Sequence, residues 1–189
     1  MAKVLILANS SSGLYGFRNE VVVELLKKYE VYASLPDDTN NKELSEEGCH
    51  IIYTPINRRG VNPIEDFKLF RHYLRLLKEI KPDAVLSYTI KPNVYGGLAC
   101  RIKHVPYLAN ITGLGSALEN PGMLQKITKI LYRIGLKKAN TVFVQNSTNK
   151  EFVEKNKLTK AKITLIPGSG VNTERFGKLE WPQKPGFIY

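Results

Sequence analysis

Short apolar runs alternate with longer amphipathic runs along almost the whole chain. The apolar runs have the length of β-strands, and we predict seven of them. They span residues 3–9, 30–35, 50–54, 84–88, 107–110, 141–145 and 163–166. Several are apolar at consecutive positions rather than at alternate ones, as in parallel strands that are covered on both faces. The pattern therefore predicts a central, buried and mainly parallel sheet.

The segments between these strands have the spacing of α-helices that bury one face. They span residues 17–28, 41–47, 63–80, 92–103, 121–138 and 147–157. Asn62 ahead of Pro63 is a typical helix start, because Asn caps free amide groups and proline fits the first turn. Strands that alternate with helices are typical of a doubly wound α/β fold. We predict a Rossmann-like domain over residues 1–180, with helices on both faces of the sheet.

The C-terminal residues differ in character from the rest of the chain. Residues 181–186 contain two prolines and a glycine, and three apolar residues follow at 187–189. We interpret residues 181–189 as a hinge and the start of a second, donor-binding domain. An irregular tail is the alternative, since chain termini are often irregular.

Composition and charge narrow the classes of function. No apolar run among the 189 residues approaches the ~20 residues of a membrane-spanning helix. Two cysteines are too few for a disulfide framework, so we interpret them as buried thiols and expect a cytoplasmic protein. Lys and Arg number 28 against 17 Asp and Glu, a net charge of +11, which favours an anionic partner. Acidic lipid and phosphate-bearing substrates fit that charge. Nucleic acid is not an expected partner, because no recognised nucleic-acid-reading motif is present.

Metal and hydrolase chemistry have no support in the residue pattern. Cys49 and Cys100 are too far apart for a zinc knuckle, and His50, His72 and His104 have no partner at metal-ligand spacing. The sequence has neither a Walker loop nor a nucleophile elbow. We expect no metal and no resident cofactor, and the sequence assigns no catalytic residue.

Polar or glycine-rich segments follow three predicted strands, at the carboxyl edge where open α/β sheets bind ligands. Glycines there allow close approach of the backbone, and a helix N-terminus favours a phosphate or a sugar oxygen. The candidate substrate-binding residues are Gly13, Tyr15 and Gly16 after the first strand, Thr89, Lys91, Asn93 and Tyr95 after the fourth, and Thr112, Gly113, Gly115 and Glu119 after the fifth.

These candidates have specific expected roles. Lys91 precedes a helix and could meet an anion, while Asn93 and Tyr95 could contact sugar hydroxyls. Arg58 and Arg59 could hold a diphosphate through paired guanidinium groups. The alternative is structural: the glycines form tight turns, Thr89 and Asn93 satisfy a helix start, and Lys91 is solvated.

Two predicted helices are both amphipathic and basic. Their apolar stripes contain Ile64, Phe67, Phe70, Leu74, Leu77 and Ile80 in one, and Met123, Leu124, Ile127, Ile130, Leu131 and Ile134 in the other. Lysines and arginines occupy the remaining faces. We interpret both stripes as facing the core and the cations as solvated. Docking on an acidic membrane surface is the alternative, because it needs exposed apolar residues or a dense cationic face.

Four motifs together resemble the N-terminal half of a GT-B glycosyltransferase of family four, in the branch that builds bacterial surface glycans. They are residues 88–96 (YTIKPNVYG), 110–116 (NITGLGS), 144–147 (VQNS) and 166–176 (IPGSGVNTERF). The last motif is the most specific, with Gly170, Val171 and Asn172 at its core. Asn172 stands where the family usually has Asp. Many relatives also have a histidine near the end of strand four, where this chain has Tyr88, Ile90 and Lys91.

The resemblance implies retaining transfer of a sugar from a nucleotide-diphosphate donor to a lipid-linked saccharide. Galactose, galacturonate and N-acetylgalactosamine are the sugar types it leaves open. In such enzymes the C-terminal domain binds the donor, so this chain would supply the acceptor side and be inactive alone. It would work in the cytoplasm, peripheral on the inner face of the membrane. A Rossmann-like domain that binds a nucleotide sugar or a metabolite without catalysis is the alternative.

Overall fold

The computed structural model describes residues 1–36, 39–58, 62–115 and 122–178. Seven strands in these residues form one sheet. They are β1 Lys3–Leu7, β2 Glu30–Leu35, β3 His50–Tyr53, β4 Ala84–Tyr88, β5 Tyr107–Ile111, β6 Thr141–Val144 and β7 Lys162–Leu165. The strand order is β3-β2-β1-β4-β5-β6-β7, and every neighbouring pair is parallel. The predicted Rossmann-like α/β fold is therefore confirmed.

Six α-helices and one π-helical turn connect the strands of the described residues. They are α1 Ser11–Leu26, α2 Asn41–Glu46, α3 Pro63–Ile80, the π-turn Pro92–Gly96, α4 Gly97–Lys103, α5 Met123–Gly135 and α6 Ser147–Lys155. The cap of α3 is the predicted one, because Asn62 Oδ1 accepts the amides of Ile64 and Glu65. The predicted helix over residues 92–103 is divided in two, since its first turn is a π-helix.

The interior strand β1 is buried on both faces, as its unbroken apolar run predicts. Leu5 and Leu7 pack in the cluster that contains the buried side of α3, whereas Ile6 and Ala8 pack with Leu14 of α1. Alternate side chains of a strand point to opposite faces of the sheet. Continuous apolar sequence is therefore what a strand between two helical layers requires.

Helix α1 begins six residues earlier than the sequence predicts. Its N-cap is Ser10, whose hydroxyl accepts the amide of Gly13 at 3.1 Å. The segment interpreted as a glycine-rich turn is therefore the first turns of the helix. A side chain carbon at Gly16 would meet nothing within 4 Å, so neither crowding nor an unusual φ interrupts the helix there.

Helix α5 presents five of the six residues of its apolar stripe outward, so the prediction that the stripe faces the core is wrong for these five. Leu131, the sixth, packs against the core. Five of its residues are 38–74% exposed: Met123, Leu124, Ile127, Ile130 and Ile134. The buried side of α5 consists of Thr128, Tyr132 and Gly135 instead. In α3 the prediction holds for Leu77 and Ile80, while Ile64 and Phe67 are exposed.

A close backbone contact explains the buried side of α5. A side chain carbon on Gly135 would lie 2.6 Å from Cα of Val94 in the π-turn, and one on Gly97 would lie 2.5 Å from the Gly135 carbonyl oxygen. The Tyr107 hydroxyl also donates to that carbonyl. Large apolar side chains do not fit between two backbones that approach so closely.

The predicted hinge, residues 181–189, lies outside the described residues, so the domain boundary stays a prediction. Across the ranges that the structure describes, no helix combines the length and the apolar character that crossing a bilayer requires. The same ranges contain no cluster of His, Cys, Asp and Glu that could hold a metal ion.

Candidate functional site

The sheet has its topological switch point between β1 and β4. From β1 the chain continues to β2 on one side, and from β4 it continues to β5 on the other. Leu7 pairs with Ser87, so the two strands end at the same level. Ligands of open α/β sheets bind in the crevice outside such carboxyl ends. The start of α1 and the segment from Thr89 to Lys91 border this crevice.

Thr89 has an unusual backbone conformation at the end of β4. Its φ is 71°, in the left-handed region that a β-branched residue rarely adopts. Its hydroxyl oxygen is buried and has no hydrogen-bond partner among the described residues. Strain of this kind is costly and clusters at functional sites. It supports a functional crevice at β4, where the sequence placed Thr89 among the candidates.

Asn93 does not reach the crevice, contrary to its expected contact with a sugar. The side chain is fully buried: Oδ1 accepts the Ser87 hydroxyl at 2.8 Å, and Nδ2 donates to the Asn110 carbonyl at 2.8 Å. Asn93 therefore ties the π-turn to β4 and β5. Asn93 does not satisfy a helix start either, as the structural alternative had it, because no side chain of the described residues caps the π-turn. Its role is to hold β4 and β5 in place.

Lys91 and Tyr95 meet at a carboxylate that the sequence did not single out. Lys91 Nζ lies 2.7 Å from Asp66 Oδ1, and the Tyr95 hydroxyl donates to Asp66 Oδ2 at 2.9 Å. Burial, followed by the hydrogen bond to Asp66, raises the pKa of Tyr95, so its hydroxyl stays protonated and donating. Asp66 lies in the first turn of α3. This network joins α3 to the end of β4 and fixes the Lys91 ammonium at the crevice.

A cavity of about 770 Å³ opens beside this network, between α3 and the ends of β2 and β3. Lys91 and Asp66 line one part, and Pro36, Tyr53 and Ile56 form an apolar part of the wall. The remaining charged residues of the wall come from α3. They are Glu65, Lys68, Arg71 and Arg75. Four cations against two carboxylates make the described wall positive.

His72 lies in the same wall, and its ring contacts the Thr54 hydroxyl. Its Nε2 is 3.0 Å from the Thr54 hydroxyl, which is 2.6 Å from the buried Ser34 hydroxyl. Burial, followed by the charge of Arg75, lowers the pKa of His72 from its ordinary value of 6.5. His72 therefore presents a neutral ring at neutral pH.

The candidates of the first loop lie in the first turns of α1. Arg175 covers Tyr15, with its guanidinium 3.9 Å from the ring centroid and a 3.0 Å hydrogen bond to the Tyr15 carbonyl. Asn172 Nδ2 donates to Glu20 Oε1 at 2.9 Å. Residues 172–175 thus return from β7 to α1. The motif around Asn172 binds the chain's own first helix, so Tyr15 is already in contact with Arg175.

The candidates of the fifth strand are partly described. Thr112, Gly113 and Gly115 follow β5, and Gly115 has a φ of 65°. A side chain carbon on Gly115 would lie 3.6 Å from Ile90 Cδ1, so the loops after β4 and β5 are neighbours. Arg58 is exposed after β3. Arg59 and Glu119 lie outside the described residues, and their roles stay predictions.

Sequence reasoning missed two groups of residues. Asp66, Arg71 and Arg75 belong to the cavity wall, although Asp66 was not singled out and the two arginines were interpreted as solvated. Arg18 was also missed: its guanidinium lies 4.9 Å from the ring centroid of Tyr88, and burial lowers its pKa. The only feature of the local sequence that could have indicated a role for Arg18 is its position two residues after Gly16.

Residues 3–146 match the model of the family described as glycosyl transferase 4-like. The chain is 28% identical over 176 residues to N,N'-diacetylbacillosaminyl-diphospho-undecaprenol alpha-1,3-N-acetylgalactosaminyltransferase from Campylobacter jejuni. That match covers 90% of this chain and 47% of the relative. The chain therefore spans about half the length of the curated relative it matches.

Solved structures share the fold. The chain resembles a glycosyltransferase from Rickettsia africae with a TM-score of 0.67 and 20% identity, over 93% of this chain and 45% of that one. It resembles Anabaena HepE, solved in complex with UDP and glucose, with a TM-score of 0.62 and 14% identity. That match covers 92% of this chain and 46% of HepE. At these identities the likeness shows the fold alone.

Proposed function

Because the chain belongs to the glycosyl transferase 4-like family, we propose that it is the acceptor-side half of a transferase that moves a sugar from a nucleotide-diphosphate donor to a lipid-linked saccharide. The supporting observation is the family match over most of the chain, together with a relative whose name describes transfer to a diphospho-undecaprenol saccharide. The donor sugar is galactose, galacturonate or N-acetylgalactosamine in type.

The chemistry explains why one half is insufficient. Sugar transfer develops negative charge on the leaving diphosphate and positive charge on the sugar, and a closed cleft between two domains stabilises both. The described crevice offers one wall of such a cleft, with Lys91 held by Asp66 at its edge. The 189-residue chain alone is therefore expected to fold without catalysing turnover.

The test compares this chain with a longer protein in which a donor-binding domain of this family follows it. Both are incubated with a lipid-linked saccharide and a panel of nucleotide-linked galactose, galacturonate and N-acetylgalactosamine. The longer protein should transfer one of these sugars over many turnovers, and this chain should transfer none. Multiple turnovers by the chain alone, or no transfer by the longer protein with any donor, would contradict the proposal.

The exposed stripe of α5 is the proposed membrane contact. Met123, Ile127, Ile130 and Ile134 follow one another at spacings of four, three and four residues, so they form one row along the helix. Cations occupy the flank of this row. They are Lys126, Lys129, Arg133 and Lys137. An apolar row beside a cationic one is the pattern by which interfacial helices bind anionic lipid.

Vesicle binding tests the membrane contact with a matched pair of variants. Ile127→Glu adds a charge to the stripe, and Val21→Glu adds one to α1 at an equally exposed position, 43% against 42%. On vesicles containing phosphatidylglycerol, Ile127→Glu should weaken binding at least tenfold, about 1.4 kcal/mol. Val21→Glu should change it less than twofold. Equal losses in both variants, or unchanged binding of Ile127→Glu, would contradict this contact.

A further inference from the structure

Three cations of α3 lie on one side of the helix, in the wall of the 770 Å³ cavity. Lys68, Arg71 and Arg75 are separated by three and four residues, which places each about 5–6 Å from the next along the helix surface. All three are exposed rather than packed. Their charged groups therefore converge on the same concave surface.

These three charges have no carboxylate partner within the described residues. The ion pair of the cavity joins Asp66 to Lys91, and Glu65 accepts a hydrogen bond from Asn57. Like charges at such spacing on a helix repel each other. The charge of Arg75 also contributes to the lowered pKa of His72 across the same wall. The surface thus has uncompensated positive charge that an anion would neutralise.

The two guanidinium groups narrow the class of anion. Arg binds phosphate oxygens through two parallel N–H donors, and Arg71 and Arg75 are one helical turn apart. This arrangement suits two linked phosphoryl groups better than a single carboxylate. His72 follows Arg71 in the same wall, and its lowered pKa leaves its ring neutral at neutral pH. It therefore adds no charge to those of the two arginines.

An apolar rim extends the row of cations toward the start of α3. Ile64 and Phe67 are 69% and 58% exposed. Ile64 lies four residues before Lys68, and Phe67 lies four residues before Arg71, so both adjoin the cations on the helix surface. A ligand that carries a diphosphate and a hydrocarbon chain would contact both parts of this surface.

We propose that the α3 cavity binds the diphosphate of an isoprenyl-diphosphate-linked acceptor, with Arg71 and Arg75 as the principal contacts and Lys68 beside them. This assignment rests on the proposed function for the class of acceptor. The candidate pair Arg58 and Arg59 stays a separate prediction. Binding at this site can be measured without catalysis, because the described residues of this chain line the cavity.

Calorimetric titration of the 189-residue chain with inorganic pyrophosphate tests the site. Arg71→Gln/Arg75→Gln should weaken binding at least tenfold. Lys103→Gln/Lys155→Gln removes the same charge from exposed positions outside the cavity and away from α3, and should change binding less than twofold. An unchanged thermal midpoint shows that each variant is folded. No measurable binding by the unmodified chain, or equal weakening in both double variants, would overturn the site.

Competition separates the two sources of a diphosphate. Farnesyl diphosphate should displace pyrophosphate at lower concentration than UDP does, because its hydrocarbon chain can contact Ile64 and Phe67. Stronger displacement by UDP would overturn the acceptor assignment and attribute the site to the donor. These measurements use binding alone, so their failure is distinct from a failure of the longer protein to transfer sugar.

Discussion

Helices α3 and α5 have the same character in sequence and opposite surroundings in the structure. Both are amphipathic and rich in Lys and Arg. Helix α3 buries large side chains against the sheet, including Leu69, Tyr73 and Leu76, whereas the apolar stripe of α5 is exposed. An apolar stripe therefore indicates which side of a helix is hydrophobic but does not establish that this side faces the core.

The difference follows from the distance at which each helix packs. Helix α5 approaches the π-turn so closely that its contact is made through Gly135, with Thr128 and Tyr132 as its other buried residues. The Thr128 hydroxyl donates to the Leu124 carbonyl at 2.8 Å, so its polar group is satisfied within the helix. The five exposed apolar residues of the α5 stripe remain available for another partner. In α3 the large apolar residues from Leu69 to Ile80 are used by the fold, while Ile64 and Phe67 stay exposed.

Truncating one large apolar residue on each helix gives the largest expected contrast. Leu76 is 4% exposed, and Leu76→Ala should reduce the free energy of unfolding by about 2–5 kcal/mol. Ile130 is 52% exposed, and Ile130→Ala should change it by less than about 0.5 kcal/mol. Urea denaturation measures both changes. A comparable loss in the two variants would show that the α5 stripe is buried after all.

A smaller loss of stability is expected from disturbing the close contact between Gly135 of α5 and the π-turn. Gly135→Ala places a methyl group against Val94, and relieving that overlap should cost about 1–3 kcal/mol of stability. Gly16→Ala is the control, because open space surrounds its position in α1. It should stabilise the protein by up to about 1 kcal/mol through helix propensity. Urea denaturation measures both changes. An unchanged free energy of unfolding in Gly135→Ala would contradict the close packing.

The topology could be predicted from the sequence because its signals are local. Seven apolar runs of strand length alternate with amphipathic segments, and this alternation produces the parallel sheet. The start of α1 was missed because Gly13 and Gly16 indicated a turn. The Ser10 cap, which starts the helix ahead of both glycines, depends on a hydrogen bond that the residue types alone do not establish.

The sequence predicts where the candidate site lies on the sheet, but not which side chains contact one another there. The carboxyl edge follows from the order of strands and helices, so Thr89 and Lys91 could be placed near the crevice. The side chains that meet there come from distant parts of the chain, as in the pair of Asp66 with Lys91. Asn93 shows the converse, because a polar residue in a motif was interpreted as a contact for sugar but is fully buried.

His72 gives α3 a half-buried titratable group in the wall of the cavity, and it yields the smallest expected effect. Burial, and then the charge of Arg75, lower its pKa from 6.5, while Glu79 acts in the opposite direction. The unfolded chain therefore binds a proton more readily than the folded one. By linkage, the free energy of unfolding decreases as pH falls through about 6.5, and the decrease ends below the folded pKa.

Urea denaturation at about pH 7.5 and about pH 5.5 isolates this contribution. The unmodified chain should lose more stability over that interval than His72→Gln, which lacks the titrating ring. His104→Gln is the control, since His104 is exposed after α4 and should retain the full pH-dependent loss. An identical loss in His72→Gln and the unmodified chain would mean that the His72 ring is hydrated in the folded protein. The packing of α3 around His72 would then be looser than its contact with Thr54 indicates, and the contrast with α5 would be smaller.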